Sequence, residues 1–150
     1  GPYGEVLLLD WGLAKVWHSD DAAASAPTDL PDLDVGVSMT SAGKLQGSVM
    51  YMSPEQVDRE ADIDFRSDIY SLGAVMYEAL TGQTPFSGTL VRKILDDVRH
   101  KVPDVPSHFG SLSVPKVLSD LTMSCLSKDP GERPSSAEEV VRIIQHNWTS

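Results

Sequence analysis

Cysteine is nearly missing from this chain: Cys125 is the single one among 150 residues. No internal disulfide can form, and a reducing compartment is the expectation, which places the segment in the cytoplasm. Cys125 sits in an apolar helical pattern with no basic neighbour beside it, so it reads as a small buried hydrophobe. Positive charge is also scarce. Twelve Lys and Arg stand against 22 Asp and Glu, a formal charge of −10 that repels phosphate backbones and anionic lipid, so neither nucleic acid nor a membrane surface is an expected partner. No apolar run approaches the roughly 18 residues of a membrane span, and no charged-then-apolar leader opens the sequence. The chain does not begin with Met, and a piece of a longer protein is expected. The four histidines, His18, His100, His108 and His146, lack ligand spacing and read as surface residues. What is present is a 41% hydrophobic composition, enough to bury one core.

Gly1-Pro2-Tyr3-Gly4 carries turn chemistry and Val6 to Leu9 is a short apolar run, which together predict a buried strand after a hairpin turn. That strand delivers Asp10 at its end. From His18 to Lys44 the chain is rich in Ala, Ser, Asp, Pro and Gly without a sustained apolar period, the pattern of a long loop or a linker. Helical patterning follows Pro54. Ile69, Leu72, Val75, Met76, Ala79 and Leu80 recur at three- and four-residue steps and Gly82 supplies a stop, predicting a strongly buried helix over Ser67 to Thr81. Leu90 to Arg99 sets Leu90, Ile94, Leu95 and Val98 opposite Arg92, Lys93, Asp96 and Asp97, an amphipathic surface helix. Val102 to Pro115 reads as a loop, Val117 to Leu126 as a helix, and Ser135 or Ser136 with Glu138 or Glu139 offers two overlapping capping boxes for a last one.

Three motifs stand in order: Asp10-Trp11-Gly12-Leu13-Ala14-Lys15, then Gly47-Ser48-Val49-Met50-Tyr51-Met52-Ser53-Pro54-Glu55 with Arg66-Ser67-Asp68-Ile69-Tyr70-Ser71-Leu72-Gly73, then Lys128-Asp129-Pro130-Gly131-Glu132-Arg133-Pro134. In that order and spacing they resemble the C-terminal lobe of a serine/threonine protein kinase of the bacterial type, beginning just after the catalytic loop. The resemblance implies a protein-kinase-like fold, C-terminal lobe, mainly α-helical with a short N-terminal β-hairpin remnant. Residues 1–17 would form the metal-binding strand and turn, 18–55 the activation and substrate-adjacent loop, and 56–150 the helical lobe. It implies ATP and Mg²⁺ as cofactors of the complete domain, and a protein with a Ser or Thr acceptor as partner. The glycine-rich loop, the nucleotide-binding lysine strand and the catalytic loop with its general base are not in these residues, so catalytic residues are expected upstream of Gly1 and the chain alone is expected to be inactive.

An aspartate at a strand end with a glycine two residues on suits a magnesium ion bridging phosphates: a fixed anionic oxygen beside a flexible corner. Alone, Asp10 and Gly12 could equally end an ordinary hairpin. In the family's pattern Asp10 is the metal ligand, Gly12 lies with it at the cofactor, and Trp11 replaces the usual phenylalanine. The resemblance places Gly47, Ser48, Tyr51 and Pro54 in the substrate-adjacent loop, where Ser48 stands for the usual threonine. It pairs Glu55 with Arg133 in a buried ion pair, and makes Asp68 a helix-start carboxylate that accepts hydrogen bonds from the catalytic loop; a plain first-turn charge complementing the helix dipole is the alternative. Ser53 replaces a common alanine and reads as structural. Ser38, Thr40 and Ser41 are candidate phosphosites, Thr40 foremost, or ordinary loop hydroxyls. Two rival readings are a non-catalytic interaction module built from a kinase lobe and a fragment of a pseudokinase.

Overall fold

The computed structural model describes residues 49–60, 62–108 and 114–148. The N-terminal strand and hairpin expected from the sequence lie outside them. Five helices follow one another among the described residues: α1 (Pro54–Asp58), α2 (Arg66–Thr81), α3 (Val91–His100), α4 (Lys116–Cys125) and α5 (Ala137–Trp148), with single 3-10 turns at Pro106–His108 and Pro130–Glu132. No strand occurs among these residues. Among them, too, no helix is long and apolar enough to cross a membrane.

Helix α2 is the axis of the lobe. The Asp64 carboxylate accepts from the Arg66 backbone N–H at 2.8 Å and so starts it. Gly82 ends it at φ 73°, a left-handed conformation that costs glycine nothing, with its N–H on the Glu78 carbonyl at 2.7 Å. One face of α2 puts Tyr70, Ala74 and Tyr77 against Phe86, Leu126 and the Ile94, Leu95 and Val98 stripe of α3. Ile69 joins Leu121 and Cys125 of α4 and Val140 of α5 in a second cluster, with Met76, Ile143 and Ile144 at its edge. At Gly73 the backbones of α2 and α4 approach so closely that a Cβ would stand 2.6 Å from the Cβ of Cys125.

The buried face of α2 differs from the one the apolar spacing predicts. Leu72 is 36% and Val75 52% exposed, and Ala79 is exposed, whereas Tyr70, Gly73, Ala74 and Tyr77 are buried. The helix is apolar almost all round, so periodicity does not select a side; the small residue Gly73 does, because it lets α4 come close. Leu90 is likewise 67% exposed, since it caps α3 from outside the helix rather than lying on its apolar face. Lys128 closes the other end of α3. Its ammonium donates to the Val98 carbonyl at 2.5 Å and lies 4.6 Å from the centre of the Phe86 ring. At α5 the two capping options merge: Ser136 Oγ accepts from the Glu139 N–H at 3.2 Å, while the Glu139 carboxylate accepts from the N–H and Oγ of Ser135 at 2.7 and 2.6 Å.

Candidate functional site

Asp10, Trp11, Gly12, Ser38, Thr40, Ser41, Gly47 and Ser48 lie outside the described residues. The other candidates, Tyr51, Pro54, Glu55, Asp68 and Arg133, are described, and most of them converge on α1 and the N-terminal half of α2.

Helix α1 is only five residues long, too short to stand on propensity, and its start is built by Ser53-Pro54-Glu55-Gln56. The Gln56 N–H donates to Ser53 Oγ at 3.4 Å and the Ser53 N–H donates to Gln56 Oε1 at 2.9 Å, a reciprocal capping box. Pro54 at the first helical position has the φ the helix needs and no N–H to leave unpaired. At the other end Arg59 takes φ 54°, and Arg99 of α3 donates to the Val57 carbonyl and to the Asp58 carboxylate.

This cap aims Glu55 inward, where its side chain meets Arg133 from 78 positions downstream. Arg133 Nη1 donates to Glu55 Oε1 at 2.6 Å and Nη2 to Oε2 at 2.9 Å, a two-pronged pair with side-chain exposures of 0% and 7%. The remaining guanidinium protons are also used: Nε on the Ser127 carbonyl, Nη1 on that of Arg66 and Nη2 on that of Lys128. All five donors of the arginine thus have acceptors, the condition under which burying such a charge is tolerable. The Tyr70 ring lies beneath, 5.1 Å from the guanidinium carbon. Ser67 Oγ adds a 2.6 Å bond to Glu55 Oε1 and stands 3.1 Å from Ser53 Oγ. Burial pushes the Glu55 carboxyl up, but the hydrogen bonds from Arg133 and Ser67 outweigh it and hold the group near 2, below its ordinary 4.5. The neighbouring Tyr70 phenol is driven well above its ordinary value by burial.

Tyr51 is half-buried and donates its phenol proton to Glu78 Oε2 at 2.6 Å; that bond, then burial, raises its pKa. Asp68 is exposed in the first turn of α2 and takes no side-chain hydrogen bond from the described residues. No group of three His, Cys, Asp or Glu poised for a metal ion occurs among them either. The described geometry is that of a scaffold: a short capped helix bolted through one buried ion pair to the turn before α5. Sequence reasoning read Ser53 as structural without naming its capping role, and passed over Gln56, Ser67 and Lys128. For Ser53 and Gln56 a signal is present, since Ser-Pro-Glu-Gln has the spacing of a capping box. Nothing local marks Ser67 as the partner of Glu55.

The protein kinase domain family matches residues 3–149 of the chain. The serine/threonine-protein kinase PknD of Protochlamydia amoebophila is 38% identical over 97% of the chain, PknL of Mycobacterium tuberculosis 35% over 89%, and pkn3 of Myxococcus xanthus 33% over 93%. The chain spans 15%, 29% and 23% of those relatives' lengths respectively.

Proposed function

Because the chain belongs to the protein kinase domain family, we propose that it is the C-terminal lobe of a kinase that transfers the γ-phosphoryl group of ATP to Ser or Thr hydroxyls of another protein. The observation that carries this reading is the order of its motifs, from Asp10-Trp11-Gly12 through Ser53-Pro54-Glu55 to Arg133, inside a match that runs from residue 3 to residue 149. In it, residues 1–17 carry the metal-binding turn, 18–55 the activation and acceptor loops, and 56–150 the helical support. Asp10 supplies the hard anionic oxygen that magnesium prefers, with Gly12 allowing the turn beside it. The metal, when bound, neutralises phosphate charge. Gly47, Ser48, Tyr51 and Pro54 border the acceptor side chain, and Thr40, Ser38 or Ser41 accepts a regulatory phosphate.

Glu55, Arg133 and Ser67 do no chemistry in this account. They hold the acceptor loop on the lobe, so that binding energy goes into orientation and not into ordering the loop. The general base and the second metal ligand belong to segments upstream of Gly1, and the 150 residues alone neither bind ATP tightly nor transfer phosphate. The segment works in the cytoplasm, on protein, without nucleic acid. The reading is tested by incubating the complete protein with γ-labelled ATP, Mg²⁺ and a mixed protein acceptor, then hydrolysing the product. Phosphoserine and phosphothreonine are expected; phosphotyrosine alone would refute the Ser/Thr assignment.

The exposed apolar residues Phe65, Leu72 and Val75 favour a second reading, a lobe that holds another protein without catalysing transfer. Under it the complete protein incorporates no label, yet forms a complex that Leu72→Glu or Val75→Glu abolishes.

A further inference from the structure

Helix α2 carries two serines, Ser67 and Ser71, one helical repeat apart on the same face. Serine is a mediocre helix former, and inside helices its hydroxyl commonly turns back to the carbonyl four residues earlier. Here neither proton does so. Ser71 Oγ donates to the backbone carbonyl of Tyr51 at 2.8 Å, and Ser67 Oγ donates to Glu55 Oε1 at 2.6 Å while lying 3.1 Å from Ser53 Oγ. Both hydroxyls are spent on α1 and the segment that leads into it.

Four residues of helix rise about 6 Å, so Ser71 and Ser67 meet the segment at two separate heights. Ser71 holds Tyr51, which lies in the turn where the Met52 N–H donates to the Val49 carbonyl at 3.4 Å, and Ser67 meets Ser53, extended at φ −78° and ψ 159°. The contacts continue in the same antiparallel sense: the Tyr51 hydroxyl reaches Glu78 further up the helix, and Met50 Sδ lies 3.7 Å from Thr84 Oγ1 beyond its end. Proton direction is consistent along the chain of hydroxyls as well. The Gln56 N–H donates to Ser53, the Ser53 hydroxyl has Ser67 Oγ at 3.1 Å and Gln56 Oε1 at 3.3 Å as acceptors for its one proton, and Ser67 donates to Glu55.

We propose that Ser67 and Ser71 form a hydroxyl ladder on α2 that sets the register of residues 50–55, making them positioning residues for the acceptor loop. The ladder itself stands on the geometry; its consequence for the acceptor rests on the reading given under Proposed function. A slip of the segment by one residue would take the Ser53 hydroxyl and the Glu55 carboxylate away from Ser67 and set a different backbone carbonyl before Ser71, so the pair of contacts selects one register and not merely attachment.

The test uses the complete protein as wild type, Ser71→Ala, Ser71→Thr and Ser67→Ala, with two readouts. Native-state hydrogen exchange of the amides of residues 50–53 should accelerate about fivefold in Ser71→Ala, the worth of one neutral hydrogen bond, and return toward wild type in Ser71→Thr, which keeps the hydroxyl. The KM for a Ser/Thr acceptor peptide should rise severalfold in Ser71→Ala while the KM for ATP stays put, a split that general destabilisation would not produce. Unchanged exchange at 50–53 in Ser71→Ala overturns the ladder. Accelerated exchange with an unchanged peptide KM upholds the ladder and removes the acceptor-loop reading. Ser71 is only partly buried, so Ser71→Ala decides the matter even if Ser67→Ala does not fold.

Discussion

Replacing Arg133 by Met probes the most heavily connected point in the lobe. The methionine fills much of the same volume but withdraws five donors at once, leaving the Glu55 carboxylate with Ser67 as its side-chain donor and stripping the carbonyls of Arg66, Ser127 and Lys128 of their partner. Breaking one side of a buried pair costs about 3–5 kcal/mol, because the surviving charge stays desolvated. Against a total stability of roughly 5–15 kcal/mol that is a large share, and it corresponds to a Tm loss on the order of 6–20 °C for a domain of this size. Urea unfolding followed by circular dichroism measures it. Glu55→Gln/Arg133→Met should lose less than the sum of the two single variants, since the uncompensated charge is gone. The pH dependence has a definite sign. Glu55 is held near 2 in the folded protein against an ordinary 4.5, so its contribution is full above about 4.5 and is lost as pH falls toward 2. In Arg133→Met, burial acts with less opposition and raises the carboxyl, so the variant's deficit narrows on acidification. A loss below about 1 kcal/mol, or additivity in the double variant, would refute the argument.

Gly73→Ala should destabilise by about 1–3 kcal/mol, because the new Cβ would meet Cys125 Cβ at 2.6 Å and both Cys125 C and Leu126 Cγ at 3.2 Å; an unchanged urea midpoint would mean that α2 and α4 do not approach as described. Lys128 is lowered to about 8 from 10.5, by burial first and by Arg133 second. The folded state thus sheds that proton before the unfolded chain does, and this group's contribution to stability rises from pH 8 to 10.5. The tyrosines and Cys125, raised by burial, act in the opposite direction over the same range, so the quantity to follow is wild type minus Lys128→Met, which should grow with pH; a flat difference contradicts the assignment. Cys125, fully buried and pushed up to about 11, should resist a thiol reagent at pH 8 in the native protein and react at once in denaturant. Native labelling at the rate of a free thiol would place it on the surface.

The parts of this lobe legible in the sequence are those governed by neighbours in the chain. The stop at Gly82, the amphipathic stripe of α3 and the serine caps of α5 depend on residues within four positions of each other, and each is where the pattern puts it except for Leu90, which falls off the stripe. The inward side of α2 was not legible, because its apolar residues surround the axis and the choice falls to Gly73, which matters only once α4 is beside it. Glu55 and Arg133 illustrate the limit from the other side. Seventy-eight positions separate them, so no spacing rule links them; the family resemblance is what suggested the pair. The serines of the ladder were visible as letters, yet their role depends on a segment lying antiparallel to α2, a tertiary fact.

The most direct test of the central claim is the rate of phosphoryl transfer from ATP to a protein acceptor by the complete protein, wild type beside Asp10→Asn, with folding of both checked by circular dichroism. The account predicts incorporation into Ser and Thr by the wild type, and a loss of about a hundredfold or more in the variant at unchanged fold. Equal rates in the two proteins would contradict the role given to Asp10, and no transfer by the wild type would leave the chain a kinase lobe by descent that works as a binding module.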